Sequence, residues 1–418
     1  PPARSSARDG GGRLQVVLPV APDLSHTFIY REAVRMVRTD GNADLVVLER
    51  GLPDAPRHAE SDAVAALGAT VPRPGIVRRY VQVMRWLLLH PRRASRLLRM
   101  YRDDAGGIAG LFGKLPCREP RHPGNAFALA SWLATRPPGP IHVYGSTYSA
   151  NVVMGAAVLL DRPYSITSYV DFEFEYDHRM LRAKYDTSRF FRVCTAFCGE
   201  RVRALVPGSV AERIPVILFG LDLDDWNDRA EPAGRGVLFS ASRLVPKKGL
   251  HLLPPAIAAL RDRGIDCEWR LAGDGPERVR LETLVAEHGI GDRVTFLGPI
   301  TTADVHAELR RADLAVMPCI VAPDGERDGI PIFFTEAMAL GVPVLTTPIS
   351  GIPEIIEDGV SGFLVQPGDA VALAERLAEV LCDGDARAAV GARGREVVHE
   401  TLDLDDAVRE LLALVRAP

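Results

Sequence analysis

The stretch GVLFSASRLVPKKGLHLLPPAIAALRDRGIDCEWRLAG, residues 236–273, decides the fold class of this chain. It opens with a short apolar run at 236–243 and passes through a turn into the helix-length pattern HLLPPAIAALRDRG. It then returns to a second apolar run at 267–273. The helical pattern ends in glycine, as many helices do. Apolar strands separated by helices favour a parallel sheet covered on both faces, so an α/β fold is predicted.

The same alternation runs along the whole chain. Candidate strands lie at 14–20, 43–49, 141–145, 164–170, 236–243, 267–273, 293–298, 312–318, 343–347 and 362–365. The rhythm runs once to about residue 218 and starts again at Gly236, after a polar stretch rich in Gly and Asp. We therefore predict two Rossmann-like, doubly wound domains that face each other across a cleft, where ligands of such folds bind.

The predicted domain limits follow from this rhythm. Residues 1–13 have no large apolar residue to anchor them and are expected to form a flexible tail. The first domain is predicted at 14–218 and the second at 219–398. A final helix, 399–418, is expected to pack back on the first domain.

Bulk composition indicates a soluble globular protein. The chain has 418 residues, 47% of them apolar and 25% charged, with a net charge of −4. This balance does not call for a nucleic-acid partner, and no apolar stretch reaches the about 18 residues of a spanning helix. The six cysteines form no CxxC pair. Buried thiols, no metal site and a cytoplasmic location are the expectations.

The paired lysines Lys247 and Lys248 are half of all the lysines in the chain. They follow a predicted strand and Arg243, at the expected start of a helix. Positive charge there opposes the helix dipole unless an anion binds, so the pattern favours a phosphate site. Lys248 and Arg243 are the predicted phosphate ligands, whereas Lys247 is expected to point to solvent.

The segment 325–365 carries the strongest site pattern. Asp328 and Glu336 flank a predicted helix start. Gly329, Ile330 and Pro331 are predicted to contact the donor there, and the N–H groups near Gly329–Ile332 are expected to be free donors. Glu336 could accept two hydroxyls of a ribose, and Asp328 could accept hydroxyls of a sugar. Two further predicted strand ends are weaker signals of donor binding. One carries Gly273, in LAGDGPE, and the other carries Phe296, Leu297 and Gly298, whose exposed backbone could pair with the edge of a nucleotide base.

The run DGIP…EAMALGVPVLTTPISGIPE…GVSGFLV resembles the retaining glycosyltransferases of the large GT-B family 4, in particular their exopolysaccharide-type members. The resemblance is specific over 240–365 and loose before that. It implies that Arg243 and Lys248 hold the donor diphosphate, Asp328 the donor sugar, Glu336 the ribose and residues around 296–298 the base. The family usually has Glu where Asp328 stands.

Residues of the first domain are assigned to the acceptor side. LPVAPDLSHTFIYRE is similar to the opening of the family and places Ser25, His26 and Thr27 in the loop after the first strand, although Ser and Thr are also ordinary helix caps. At 165–177 the resemblance implies a histidine beside the reacting sugar; this chain has Tyr169 there, which we predict as a catalytic residue together with Arg243, Lys248 and Asp328.

Acidic residues then alternate with aromatic ones from Asp171 and Glu173 to Asp177. This period of two is typical of a strand. The segment is either a solvated edge or an acceptor pocket for an amine-bearing sugar.

Residues 73–102 contain nine arginines and no acidic residue, among apolar runs. They form either helices with a solvated basic face or a patch that rests on an anionic membrane.

The predicted function is a retaining glycosyltransferase that requires no metal or cofactor. It would move a sugar from a nucleotide-diphosphate donor, with UDP favoured, to a hydroxyl of a saccharide, a lipid-linked sugar or an amino-sugar natural product. The alternatives are a non-catalytic nucleotide-sugar-binding protein of the same fold and a phosphorylase or sugar-phosphate synthase.

Overall fold

The computed structural model describes residues 12–22, 27–51, 59–72, 75–104, 123–169, 180–226 and 232–417. These residues form two α/β domains, each built on one parallel sheet.

The first domain contains a sheet of six described strands. They are β1 (Leu14–Ala21), β2 (Ala43–Arg50), β3 (Gly68–Thr70), β4 (Ile141–Tyr144), β5 (Tyr164–Ser168) and β6 (Phe191–Val193). The helices of this domain are α1 (Thr27–Asp40), α2 (Ala59–Leu67), α3 (Ile76–Leu89), α4 (Pro91–Asp104), α5 (Pro123–Leu133), α6 (Tyr148–Leu160), α7 (Leu181–Thr187) and α8 (Ala196–Leu205).

The second domain repeats this plan. Its strands are β7 (Val237–Ala241), β8 (Glu268–Ala272), β9 (Val294–Gly298), β10 (Leu314–Val316), β11 (Val344–Thr346) and β12 (Phe363–Leu364). Its helices are α9 (Leu253–Asp262), α10 (Arg278–Glu287), α11 (Thr302–Arg311), α12 (Ile332–Ala339), α13 (Ala370–Cys382) and α14 (Gly384–Thr401), and they are followed by α15 (Leu404–Arg416).

Both sheets have the same strand order. The first runs β3-β2-β1-β4-β5-β6 and the second runs β9-β8-β7-β10-β11-β12, with parallel pairing throughout. In such a sheet the order reverses between the first and fourth strands, and the loops that leave these two strands separate to form a ligand crevice. In the second domain this crevice lies between the ends of β7 and β10.

Helix α15 crosses from the second domain back to the first. Its buried residues Val408 and Leu411 belong to the apolar cluster that also contains Leu14 and Ile29 of the first domain. Ion pairs fasten both ends of the helix, since Arg35 of α1 contacts Asp405 and Arg416 contacts Asp40. The last helix in the sequence therefore completes the core of the first domain.

The predicted α/β class is confirmed, and each of the ten predicted strand segments contains a strand. The short strands β3 and β6 were not predicted from the sequence. Four described cysteines are buried, but Cys382 is exposed, contrary to the expectation of buried thiols. None of the helices in the described ranges is long and apolar enough to cross a bilayer.

Candidate active site

The crevice of the second domain gathers the predicted site residues from two loops. The loop after β7 carries Arg243, Lys247 and Lys248, and the loop after β10 carries Asp328 before α12 begins. Eighty residues separate Lys248 from Asp328 along the chain, yet the Lys248 ammonium donates a hydrogen bond to Asp328 Oδ2 at 2.7 Å. The strand order brings these loops together, because β7 and β10 are neighbours in the sheet.

Lys247 joins the same carboxylate. Its Nζ lies 3.3 Å from Asp328 Oδ1 and 4.0 Å from Glu326 Oε2. The Lys247 side chain is only 5% exposed, so the prediction that it points to solvent is wrong. A buried ammonium needs a partner, and Asp328 supplies it. The lysine pair is therefore a two-cation clamp around one carboxylate.

The predicted helix start after the lysines is also corrected. Residues Pro246–Lys248 form a single 3₁₀ turn, Gly249 follows, and α9 begins only at Leu253. The lysines therefore lie more than a turn before the helix, and their charge is offset by Asp328 rather than by the helix dipole. Gly249 has φ of +66°, and a Cβ there would lie 1.8 Å from the carbonyl oxygen of Pro318. This close approach joins the β7 loop to the β10 loop.

The lysines keep Asp328 charged. Burial alone would raise the pKa of the Asp328 carboxyl, but the ammonium groups of Lys248 and Lys247 outweigh burial and lower that pKa below its usual value. Burial raises the pKa of the nearby Cys319 thiol to about 12, so this group stays neutral. The cluster therefore holds two cations around one carboxylate, with Glu326 at its margin.

Arg243 lies at the exposed end of the β7 loop. Among the described residues no carboxylate lies within ion-pairing distance of it, in contrast to the two lysines. An exposed guanidinium beside a buried cation pair suits a ligand with several anionic oxygens.

Helix α12 contributes Glu336 and its own first amides. Glu336 is 9% exposed, and its carboxylate makes no hydrogen bond within the described part of the chain. Burial raises the pKa of its carboxyl to about 7, while Arg31 of the first domain lowers it and Glu60 raises it. In the first turn of α12 the Phe334 amide donates to the Pro331 carbonyl at 3.0 Å, whereas the amides of Ile332 and Phe333 have no acceptor inside the helix. A ligand hydroxyl would meet an unsatisfied carboxylate here.

The two weaker predictions, at the ends of β8 and β9, lie on backbone that makes defined contacts within the second domain. Gly273 has φ of +123°, and a Cβ there would lie 1.8 Å from the carbonyl oxygen of Ser242, so glycine is required for the contact between the β7 and β8 ends. The Gly273 amide donates to the Gly298 carbonyl at 2.8 Å. Phe296 and Leu297 pack against the core of the second domain, and the guanidinium of Arg278 lies over the Phe296 ring.

On the first-domain side only part of the predicted set is described. Thr27 is the first residue of α1 and is half-buried. Tyr169 follows β5, and its ring makes an edge contact with Phe28 at 6.0 Å. The other acceptor-side predictions, Ser25, His26, Asp171 and Glu173, lie outside the described residues.

Sequence reasoning missed the contact between the domains. Glu354 of the second domain accepts hydrogen bonds from the amides of Ala196 and Phe197, at 2.8 and 3.0 Å, at the start of α8. Gly351 packs against Thr195, since a Cβ there would lie 2.4 Å from Thr195 Cγ2. Glu354 belongs to the GIPE motif, but nothing in the sequence indicates a partner 158 residues away.

No three His, Cys, Asp or Glu side chains converge as a metal-binding group in the described ranges.

Comparison with known proteins identifies the family of the second half. Residues 224–397 match the family model described as glycosyl transferases group 1. The second domain belongs to this family. The group 1 glycosyltransferase domain thus includes β7 to β12 and the whole two-lysine clamp.

Curated relatives match about half of this chain. The chain is 38% identical over 213 residues to a protein of Escherichia coli K12 that carries the name colanic acid biosynthesis glycosyltransferase WcaL, covering 50% of this chain and 52% of that protein. It is 32% identical over 226 residues to a GDP-mannose-dependent α-(1-6)-phosphatidylinositol monomannoside mannosyltransferase of Mycobacterium tuberculosis, covering 51% and 57%. The chain spans about half the length of the curated relatives it matches.

Solved structures match over the whole chain. Anabaena HepE in complex with UDP and glucose superposes with a TM-score of 0.71 at 17% identity, covering 97% of this chain and all of that one. Sucrose-phosphate synthase from Thermosynechococcus elongatus gives 0.71 at 19% identity, covering 97% and 98%. The two-domain fold is therefore GT-B.

Proposed function

We propose that this protein is a retaining glycosyltransferase that takes a sugar from a nucleotide-diphosphate donor and passes it to a hydroxyl of an acceptor. The observation that carries this proposal is the clamp of Lys247 and Lys248 on Asp328 at the crevice of the group 1 domain. Two compact cations next to the amides of α12 suit a diphosphate, whose oxygens accept several hydrogen bonds at once.

The clamp would act where charge develops. As the bond between the anomeric carbon and the β-phosphate oxygen breaks, negative charge grows on that phosphate, and Lys248, Arg243 and the α12 amides stabilise it. Lys248 can exchange Asp328 for a phosphate oxygen, while Lys247, which is more deeply buried, keeps Asp328 ionised.

Retention requires the acceptor oxygen to attack from the side that the diphosphate leaves. The new bond forms between the acceptor oxygen and the anomeric carbon, and the acceptor proton passes to the departing phosphate oxygen. No protein nucleophile is needed, and the imidazole that Tyr169 replaces is not required either. Asp328 accepts hydroxyls of the donor sugar, and Glu336 accepts those of the ribose.

The donor nucleotide has two candidates. UDP is the nucleotide that we propose from the sequence, and the GT-B neighbour HepE binds UDP. GDP is the second candidate, because the mycobacterial relative, at 32% identity, is named as GDP-mannose-dependent. The acceptor that we propose is a saccharide or a lipid-linked sugar, since the Escherichia coli relative is named for colanic acid biosynthesis.

A two-stage experiment tests the proposal. Thermal-shift measurements with UDP-, GDP-, ADP- and dTDP-sugars would identify the donor, and we expect a UDP- or GDP-sugar to give the largest increase in melting temperature. Turnover of that donor is then followed by NMR, which reports the anomeric configuration of the product, with and without EDTA. We expect an unchanged configuration and full activity in EDTA.

Other outcomes separate the alternatives. Binding without donor consumption against any acceptor in the panel would mean a non-catalytic nucleotide-sugar-binding protein. An inverted product would contradict the proposed mechanism, and loss of activity in EDTA would contradict its independence of metal ions.

A further inference from the structure

Helix α3 exposes an apolar face to solvent. Six large side chains of this helix are between 55% and 75% exposed: Val77, Tyr80, Val81, Met84, Leu88 and Leu89. Five of them, all except Leu89, recur at helical spacing and form one stripe. Together they expose an apolar area on the order of several hundred Å², near the upper limit for soluble monomers.

The opposite face of α3 is already packed. Trp86 is buried and its indole N–H donates to Ser131 Oγ at 2.9 Å, and Val83 and Leu87 pack against the first-domain core. The inner face therefore fixes the helix in place. A helix that is apolar on both faces needs an apolar environment on its outer side as well.

Positive charge borders this stripe. Arg85 lies beside it on α3, and α4, which follows after His90, carries the exposed residues Arg92, Arg96 and Arg99 at helical spacing. Within the described ranges no carboxylate pairs with Arg85, Arg92 or Arg96, whereas Arg93 pairs with Asp161. The outer surface of α3 and α4, here called the α3–α4 surface, thus combines exposed apolar side chains with unpaired cations.

We propose that the α3–α4 surface docks on an anionic lipid bilayer. Helix α3 would lie in the interface plane with its apolar stripe among the acyl chains, and the arginines would contact lipid phosphates. Both features are then satisfied by one partner. A contact between two copies through the α3 stripe would cover the apolar side chains but offers no anion of its own to these arginines, whereas an anionic bilayer supplies both an apolar interior and phosphates.

Vesicle sedimentation tests this proposal without any assumption about donor or acceptor. The full chain is mixed with vesicles of phosphatidylcholine alone or with about 30% phosphatidylglycerol. We expect binding to the anionic vesicles that weakens with added salt, and little binding to the neutral ones. The variant Met84→Ser/Leu88→Ser should weaken binding by about tenfold or more. The variant Arg92→Gln/Arg96→Gln should weaken it by about thirtyfold.

The matched control is Val279→Ser/Val371→Ser, which changes two equally exposed apolar residues of the second domain, 72% and 67% exposed. It should bind like the wild type. All variants change exposed side chains and should keep the wild-type melting temperature. The proposal is overturned if the wild-type chain ignores anionic vesicles, or if both α3–α4 variants bind as it does. It also fails if light scattering shows a dimer that Met84→Ser/Leu88→Ser dissociates while vesicles are not bound, since the surface would then join two copies.

Discussion

The two lysines that contact Asp328 differ in how accessible they are to a ligand. The Lys248 side chain is 12% exposed and that of Lys247 is 5% exposed, so Lys248 is the member that a diphosphate can reach from the cleft. A lysine suits this position because its ammonium is compact and its three donors can follow phosphate oxygens as a bond breaks. In the proposed mechanism Lys248 therefore contacts the ligand, whereas Lys247 holds Asp328 in place.

Replacing Lys248 tests this division. We expect Lys248→Ala to lower turnover by about a hundredfold or more, because one preorganised donor at a developing charge is worth roughly 3–4 kcal/mol. Steady-state kinetics with the donor found by thermal shift measures the effect, and circular dichroism checks the fold. Arg409→Ala, which removes an exposed cation of α15 paired with Asp406, is the control and should leave turnover unchanged. Full activity in Lys248→Ala would show that the diphosphate binds elsewhere.

Because Glu336 is the proposed ribose ligand, we expect donor binding to depend on pH. Its pKa is raised to about 7 by burial, so the carboxyl binds a proton as pH falls through this value. Ribose hydroxyls favour the ionised form, which accepts their hydrogen bonds, and bound donor therefore competes with the proton. We expect the Kd of the nucleotide sugar to be about tenfold weaker at pH 6 than at pH 8. Titration calorimetry across this range measures it.

The matched variant Glu336→Gln isolates this effect, since it keeps the size of the side chain and removes the titration. Its donor affinity should be weaker at pH 8 and nearly constant down to pH 6. A wild-type affinity that is equally flat would mean that the ionised Glu336 carboxylate is not a ribose ligand.

At the scale of elements, α8 depends on the other domain for its first turn. The Cys198 amide donates to the side chain of Thr195, the residue just before the helix, whereas the amides of Ala196 and Phe197 donate to Glu354. Backbone amides at a helix start have no partner inside the helix. A carboxylate from the opposite domain therefore completes the cap, which couples the cap to closure of the cleft.

We expect Glu354→Ala to weaken this closure and lower kcat/KM by about tenfold, the equivalent of roughly 1.4 kcal/mol. Small-angle scattering of the ligand-free protein should show a larger radius of gyration than that of the wild type. Glu357→Ala, at an exposed residue three positions further along, is the control. Wild-type scattering and kinetics for Glu354→Ala would show that the contact has no part in closure.

The sequence predicts elements well where periodicity is strong and poorly where contacts are distant. The ten predicted strands are apolar runs bounded by turns, while β3 and β6 have three residues each and carry too little pattern. The helix start predicted after Lys248 was displaced because Gly249 must approach Pro318, a contact that no local pattern reveals. Asp328 was recognised from its motif, but its pairing with Lys247 depends on the order of strands in the sheet.

At the scale of the molecule, α15 is a second connection between the two domains, besides the polar stretch that lies between residue 218 and Gly236. It follows the second domain in sequence, yet it covers apolar side chains of the first. Leu411 is fully buried in the cluster that contains Leu14 and Val16 of β1. The first domain therefore lacks part of its core until the end of the chain has packed on it.

Truncating Leu411 tests this dependence. Removing a buried leucine side chain costs the transfer free energy of the lost atoms and leaves a cavity, so Leu411→Ala should lower the free energy of unfolding by about 2–5 kcal/mol. Because the cavity lies against β1 and α1, hydrogen exchange should lose protection in the first domain, while nucleotide affinity of the second domain changes little. Val371→Ala, at a residue that is 67% exposed on α13, should stay within about 0.5 kcal/mol of the wild type. Loss of protection confined to β7–β12 would instead mean that α15 stabilises the domain that precedes it in the sequence.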